Sequence, residues 1–265
     1  MTRTSTPVYR RDAYPLDRPG DAAYRSLVER CRRDLTRDGM FNLDSFVAPE
    51  TCADLCAMLL PRSAAEGFRH ARRHNIYFRD DLPLAADHPA LRKVETINRT
   101  LCADQLQDTA LAALYLDTDF IRFLADVMDK PALFPMADAL APVNVMAYHA
   151  GEALNWHFDR SEFTTTLLLQ APEQGGAFEY RTDLRSADEP NYDGVARLLR
   201  GEDPDQRSLT LAPGTLNVFR GRNTPHRVTP VEGDRARLIA VFSYFEQPGV
   251  RFTEAEQRGF YGRTA

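Results

Sequence analysis

Apolar residues recur at intervals of three and four in the first part of the chain, whereas the last part breaks into short β-type runs between turns. From Asp21 to Met40 the series Leu27, Val28, Cys31, Leu35 marks one amphipathic helix. From Pro49 to Phe68 the series Cys52, Leu55, Leu59 marks a second. Helical spacing also predicts a helix over about His88 to Leu106 and another over Asp117 to Asp129, which Pro131 ends. The stretch from about 20 to 140 therefore reads as mainly helical support.

After Pro142 the pattern predicts strands over Val143 to Tyr148, Phe163 to Leu169, Ala177 to Tyr180, Leu209 to Leu211, Thr215 to Phe219 and Leu238 to Phe245. Ala212, Pro213, Gly214 and Thr215 suit a type II turn, because proline fixes the first central φ and glycine accepts the positive second one. Many short strands at this spacing point to a jelly-roll sandwich or open barrel over about 141 to 247, with the helices packed outside it in one α+β domain. Between 182 and 208 the strand signal disappears. Tyr192 to Arg200 predicts a short helix there, in an insertion of the kind that often forms a lid or binding loop.

Charge narrows the function. A formal net charge of −5 lacks the basic footprint of a nucleic-acid binder, so a small-molecule substrate is expected. Basic residues are almost all arginine, and the run Arg69, His70, Arg72, Arg73, His74 reads as a solvated face or a substrate clamp. No run approaches the roughly 20 apolar residues that cross a bilayer. Met1 to Gly20 holds no continuous apolar block, so the expected location is cytoplasmic. Cys31, Cys52, Cys56 and Cys102 lack metal-knuckle spacing and are expected to be buried thiols.

The candidate chemistry centres on His157, Asp159 and His226. If Asn155 to Asp159 is extended, His157 and Asp159 project to one side and Trp156 and Phe158 to the other. His226 is the best placed third ligand, since His70 and His74 fall in the helical half and His88 and His149 have no carboxylate two residues away. Two imidazoles and one carboxylate on one face of Fe(II) leave its other face open to a chelating cosubstrate and O2. The cosubstrate's far carboxylate would need a guanidinium. Arg235 is favoured, with Arg237 as its alternative.

The phrases NWHFDRSEFTTTLLLQAPEQGGAFEY and FRGRNTPHRVTPVEGDRARLIAVFSY resemble the Fe(II)/2-oxoglutarate-dependent dioxygenases of the prolyl-hydroxylase-like branch, and within it the freestanding amino-acid hydroxylases and halogenases typified by lysine-modifying enzymes. The resemblance covers Asn144 to Tyr244. It implies a double-stranded β-helix, Fe(II) on His157, Asp159 and His226, and oxidative decarboxylation of 2-oxoglutarate to succinate coupled to removal of a hydrogen from an unactivated carbon. Tyr148 matches a position that often assists the cosubstrate carboxylate; otherwise it packs at the core edge. Halogenases of this branch carry glycine or alanine where Asp159 stands, so the carboxylate implies hydroxylation, with desaturation or ring formation left open.

The expected substrate is a small polar metabolite, most of all a free amino acid. Arg73 is a candidate clamp for its carboxylate, Asn155 shares the strand face of the ligands or packs elsewhere, and Arg160 stands at the rim. Hydroxylation of a peptide or carrier-bound residue, and a noncatalytic metal or ligand sensor, are the other readings. The oligomeric state is not legible.

Overall fold

The computed structural model describes residues 8–265. Eleven strands carry the architecture: Met40–Leu43 (β1), Phe68–His74 (β2), Val94–Leu101 (β3), Val143–Tyr148 (β4), Leu154–His157 (β5), Thr164–Gln170 (β6), Phe178–Tyr180 (β7), Arg207–Leu209 (β8), Leu216–Phe219 (β9), His226–Val228 (β10) and Arg237–Phe242 (β11). Helices Ala22–Asp38 (α1), Pro49–Glu66 (α2), Ala110–Tyr115 (α3), Thr118–Val127 (α4), Tyr192–Arg200 (α5) and Glu254–Tyr261 (α6) surround them.

An antiparallel seven-stranded sheet, ordered β1-β9-β6-β11-β4-β3-β2, faces a four-stranded sheet ordered β8-β7-β10-β5. Strand alternation divides the large sheet's side chains between two environments. Val143, Val145, Ala147, Leu238 and Ala240 join the main core with the apolar stripes of α1, α2 and α4, while Tyr148 and Ile239 point the other way into a separate cluster. The helices thus back the large sheet and leave its other face to the interior of the sandwich. The four cysteines are buried and unpaired.

The Gly214 turn forms as expected, with φ +84° and a hydrogen bond from Thr215 N to Ala212 O of 3.2 Å. Helix α5 spans the predicted residues; Asn191 caps it by accepting from Gly194 N, and Val195 and Leu198 bury its apolar face. The helix expected over His88 to Leu106 is instead a short 3-10 turn at Pro89–Leu91, strand β3, and a second 3-10 turn at Ala103–Gln105. The inward side chains of β3 are Thr96, Asn98 and Thr100, all buried, so a polar wall conceals the period-two signal of a strand. Strand β2 pairs with β3 along its whole length, from Phe68↔Thr100 to His74↔Val94. The arginine and histidine run in the supposedly helical half is therefore a strand.

Candidate metal centre

Strand β5 lies at an edge of the small sheet and pairs with β10, which sets His226 directly opposite His157. The two rings are 4.2 Å apart between centroids. Asp159 sits just past the end of β5, where its N–H donates to Gly221 O at 3.0 Å. His157 Nε2 is 3.3 Å from Asp159 Oδ1 and His226 Nε2 is 3.5 Å from Asp159 Oδ2. One ligand atom from each residue lies within 4.8 Å of the other two, the only such group of three among the described residues. Trp156 and Phe158 turn away into an apolar cluster with Ile76, Val195 and Leu198.

Hydrogen bonds fix the state of each member. His157 Nδ1 pairs with Asn155 O at 2.8 Å and His226 Nδ1 with Thr224 O at 3.0 Å. A carbonyl only accepts, so both Nδ1 atoms carry a proton and both Nε2 atoms face Asp159. Burial pushes the His226 pKa down to about 4, which keeps the ring neutral. Burial alone would raise the Asp159 pKa, but the two imidazoles and a 2.5 Å hydrogen bond from Thr164 Oγ1 hold it far below the usual carboxylate range. At Gly221 a Cβ would overlap Asp159 Oδ2, so the carboxylate occupies space that only glycine leaves free. Two imidazole nitrogens and a carboxylate oxygen converging on one point fit the donor set of Fe(II).

A chamber of about 320 Å³ opens beside the triad. Its walls include His70, Arg72, His74, Thr96, Asn98 and Thr100 of β2 and β3, none of them singled out as a wall by the hydrophobic pattern. Alternation along β2 sends Arg73 outward, where it is exposed and donates to Lys93 O at 3.2 Å, while Arg72 faces the chamber. Asn155 lines a different cavity, and its amide donates to His74 O at 3.5 Å. Arg160 lies at the chamber's rim in an ion pair with Glu256. None of the chamber's lining residues comes from 182 to 208; that insertion packs α5 behind Trp156 and Phe158.

The two candidate arginines differ sharply. Arg235 is exposed and donates to Pro172 O at 3.2 Å. Arg237 is 4% exposed, lies opposite Tyr148 in the β11–β4 ladder, and has its guanidinium 5.8 Å from the Tyr148 ring centroid. Burial lowers the Arg237 pKa, and no carboxylate acts on it. Burial likewise pushes the Tyr148 hydroxyl up to about 12. Arg237 lines a cavity of about 260 Å³ together with Phe178, whose ring is 5.5 Å from that of His226.

The family model described as HalD, Halogenase D, matches residues 24–254. The chain belongs to the Halogenase D family. Solved structures show the same double-stranded β-helix fold. AviO1 from Streptomyces viridochromogenes is 20% identical with a TM-score of 0.56, covering 85% of this chain and 97% of its own. HygX from Streptomyces hygroscopicus, solved with nickel and 2-oxoglutarate bound, is 16% identical with a TM-score of 0.55, covering 89% and 96%. The non-heme α-ketoglutarate-dependent carbocyclase SnoK from nogalamycin biosynthesis is 12% identical with a TM-score of 0.58, covering 91% and 94%. No curated protein matches the chain. Among the described residues no helix is long and apolar enough to cross a membrane.

Proposed function

We propose that this member of the Halogenase D family is an Fe(II)- and 2-oxoglutarate-dependent oxygenase that hydroxylates an unactivated carbon of a small polar metabolite, foremost a free amino acid. The observation that carries the reading is the intact carboxylate of Asp159, hydrogen-bonded to Thr164 and converging with two imidazoles. Halogenation needs a halide at the coordination position this carboxylate fills, so hydroxylation follows despite the family's name.

In this reading His157, Asp159 and His226 hold the iron, which supplies the O2-dependent oxidation that turns 2-oxoglutarate into succinate and CO2. The carbonyls of Asn155 and Thr224 keep both imidazoles in the binding tautomer. Arg237, rather than the exposed Arg235, receives the far carboxylate of 2-oxoglutarate, because a buried guanidinium without an acidic partner is stabilised by a matching anion. Tyr148 stands beside it to donate to the same carboxylate. Met136, Phe245 and Phe252 line the chamber and exclude water from the reacting carbon. Arg160 meets the substrate at the rim. Arg73 and Asn155 drop out of the substrate site because their side chains point elsewhere.

One observation favours a second reading, a peptide or carrier-bound substrate. The chamber shares Arg160, Ser161, Phe245 and Phe252 with an adjoining cavity of about 280 Å³, so a longer molecule has a path from the surface to the triad. Anaerobically reconstituted protein incubated with each of the twenty amino acids, 2-oxoglutarate and O2 separates the readings. Succinate matched by a product heavier by one oxygen supports the free amino acid. Succinate without any modified amino acid removes that substrate class, and a chlorinated product in chloride buffer removes hydroxylation.

A further inference from the structure

Strands β2 and β3 form one wall of the metal chamber, and its most buried members are polar. Thr96, Asn98 and Thr100 are 2%, 3% and 2% exposed. Thr96 is used: it accepts from Asn155 N at 3.0 Å and bonds His74 Nε2 at 2.8 Å. Thr100 Oγ1 donates to Asn98 Oδ1 at 2.8 Å, which commits the amide's oxygen to the wall and leaves Nδ2 to the chamber. Among the described residues Nδ2 donates to no protein atom, and it is not sealed away from the chamber, so it is an accessible donor on the chamber wall. His70 stands directly opposite Asn98 in the ladder and lines the same chamber.

Of the chamber's two arginines Arg160 is paired with Glu256, which leaves Arg72 as the unpaired cation among the described residues; burial lowers the His70 and His74 pKa values, and the only acidic lining residue is Asp159 of the triad. An ammonium group beside Asn98 would meet the Nδ2 donor rather than an acceptor. The remaining walls, with Met146, Leu154, Phe245, Phe252 and Phe260, are apolar.

We infer that Asn98 seats a carboxylate or carbonyl oxygen of the substrate, whose apolar remainder lies along the Phe252 and Phe260 wall toward the triad. This deepens the proposed oxygenase reading and rests on it. It makes Asn98 a specificity-determining residue that selects acceptor oxygens and rejects amines.

The test uses the full chain loaded with Co(II) and 2-oxoglutarate, and reads the cobalt visible spectrum while hexanoate, 3-phenylpropanoate, hexylamine or 3-phenylpropylamine is added. The acids are expected to perturb the spectrum at concentrations about tenfold or more below the matched amines, the discrimination that one charge-assisted hydrogen bond gives. Asn98→Asp should erase or reverse that preference while leaving the 2-oxoglutarate response intact. Asn98→Ser, which keeps a small polar side chain, covers the case in which the aspartate variant unfolds early, and should weaken the acids alone. Equal response to acids and amines, no response to any of the four, or unchanged acid binding in a folded Asn98 variant overturns the inference. A wild-type spectrum that does not change on adding 2-oxoglutarate sinks the oxygenase reading instead, and is seen before any probe is added.

Discussion

Two buried ionic features share the sandwich interior, and they are built on opposite principles. At the end of β5, Asp159 is surrounded by two imidazoles, the Thr164 hydroxyl and the Gly221 backbone, so each polar atom has a protein partner or faces the shared point between them. At the start of β11, Arg237 is just as buried, has no acid to balance it, and rests against the Tyr148 ring. The first arrangement is satisfied before any ligand arrives. The second carries a desolvation cost that only a bound anion offsets. In the proposed reading the molecule has thus preorganised its metal pole and left the Arg237 pole open to the cosubstrate.

The largest expected effect comes from breaking the satisfied pole. His157→Ala or His226→Ala should abolish turnover and Fe(II) binding, checked by succinate release and anaerobic metal titration. At the open pole, Arg237→Gln should raise the 2-oxoglutarate requirement by one or more tenfold steps, roughly 1.5–3 kcal/mol for hydrogen bonds to a charged group, while Arg235→Gln stays within about twofold. The same Arg237→Gln protein should unfold at an equal or higher temperature than wild type without 2-oxoglutarate, since an uncompensated buried charge is gone; a large drop would show that Arg237 has a structural partner. Next in size, Gly221→Ala places a methyl against Asp159 and 2.7 Å from Thr164 Oγ1, and should weaken Fe(II) affinity by about 10–100-fold, as loss of groups that orient a ligand does.

The smallest effect is on pH dependence. Burial holds His226 and His74 at about 4, below the ordinary histidine value, so the unfolded chain binds these protons more readily than the folded one. The metal-free protein should therefore lose stability as pH falls from about 6.5 to 4, with no contribution from these groups above that window. His74→Gln should flatten the decline in the unfolding midpoint measured across it.

The contrast also explains which parts of the protein were legible in its sequence. His157, Asp159 and His226 stood out because ligands two apart on a strand, with a distant third, form a pattern of residue types that packing does not demand. The helical stripes of α1 and α2 were equally plain, since their buried positions are apolar. The substrate wall was hidden for the opposite reason. The buried side chains of β3 are threonine and asparagine, and β2 offers histidine and arginine, so neither shows alternating hydrophobicity, and Ile97 and Leu101 mimic a helical spacing. The choice between Arg235 and Arg237 was hidden too, because residues two apart would share one face of an extended strand, and nothing in the residue pattern marks that β11 begins at Arg237 and leaves Arg235 in the bend before it.

The most direct measurement is an anaerobic titration of Fe(II) into the protein with 2-oxoglutarate present, followed by the visible charge-transfer absorbance of the chelated iron. The account predicts one equivalent of iron per chain, with the signal lost in His157→Ala and His226→Ala and displaced to much higher 2-oxoglutarate concentration in Arg237→Gln. Wild-type protein that binds no iron, or a His157→Ala variant that binds it as tightly, would contradict the central claim that these three side chains form the metal centre.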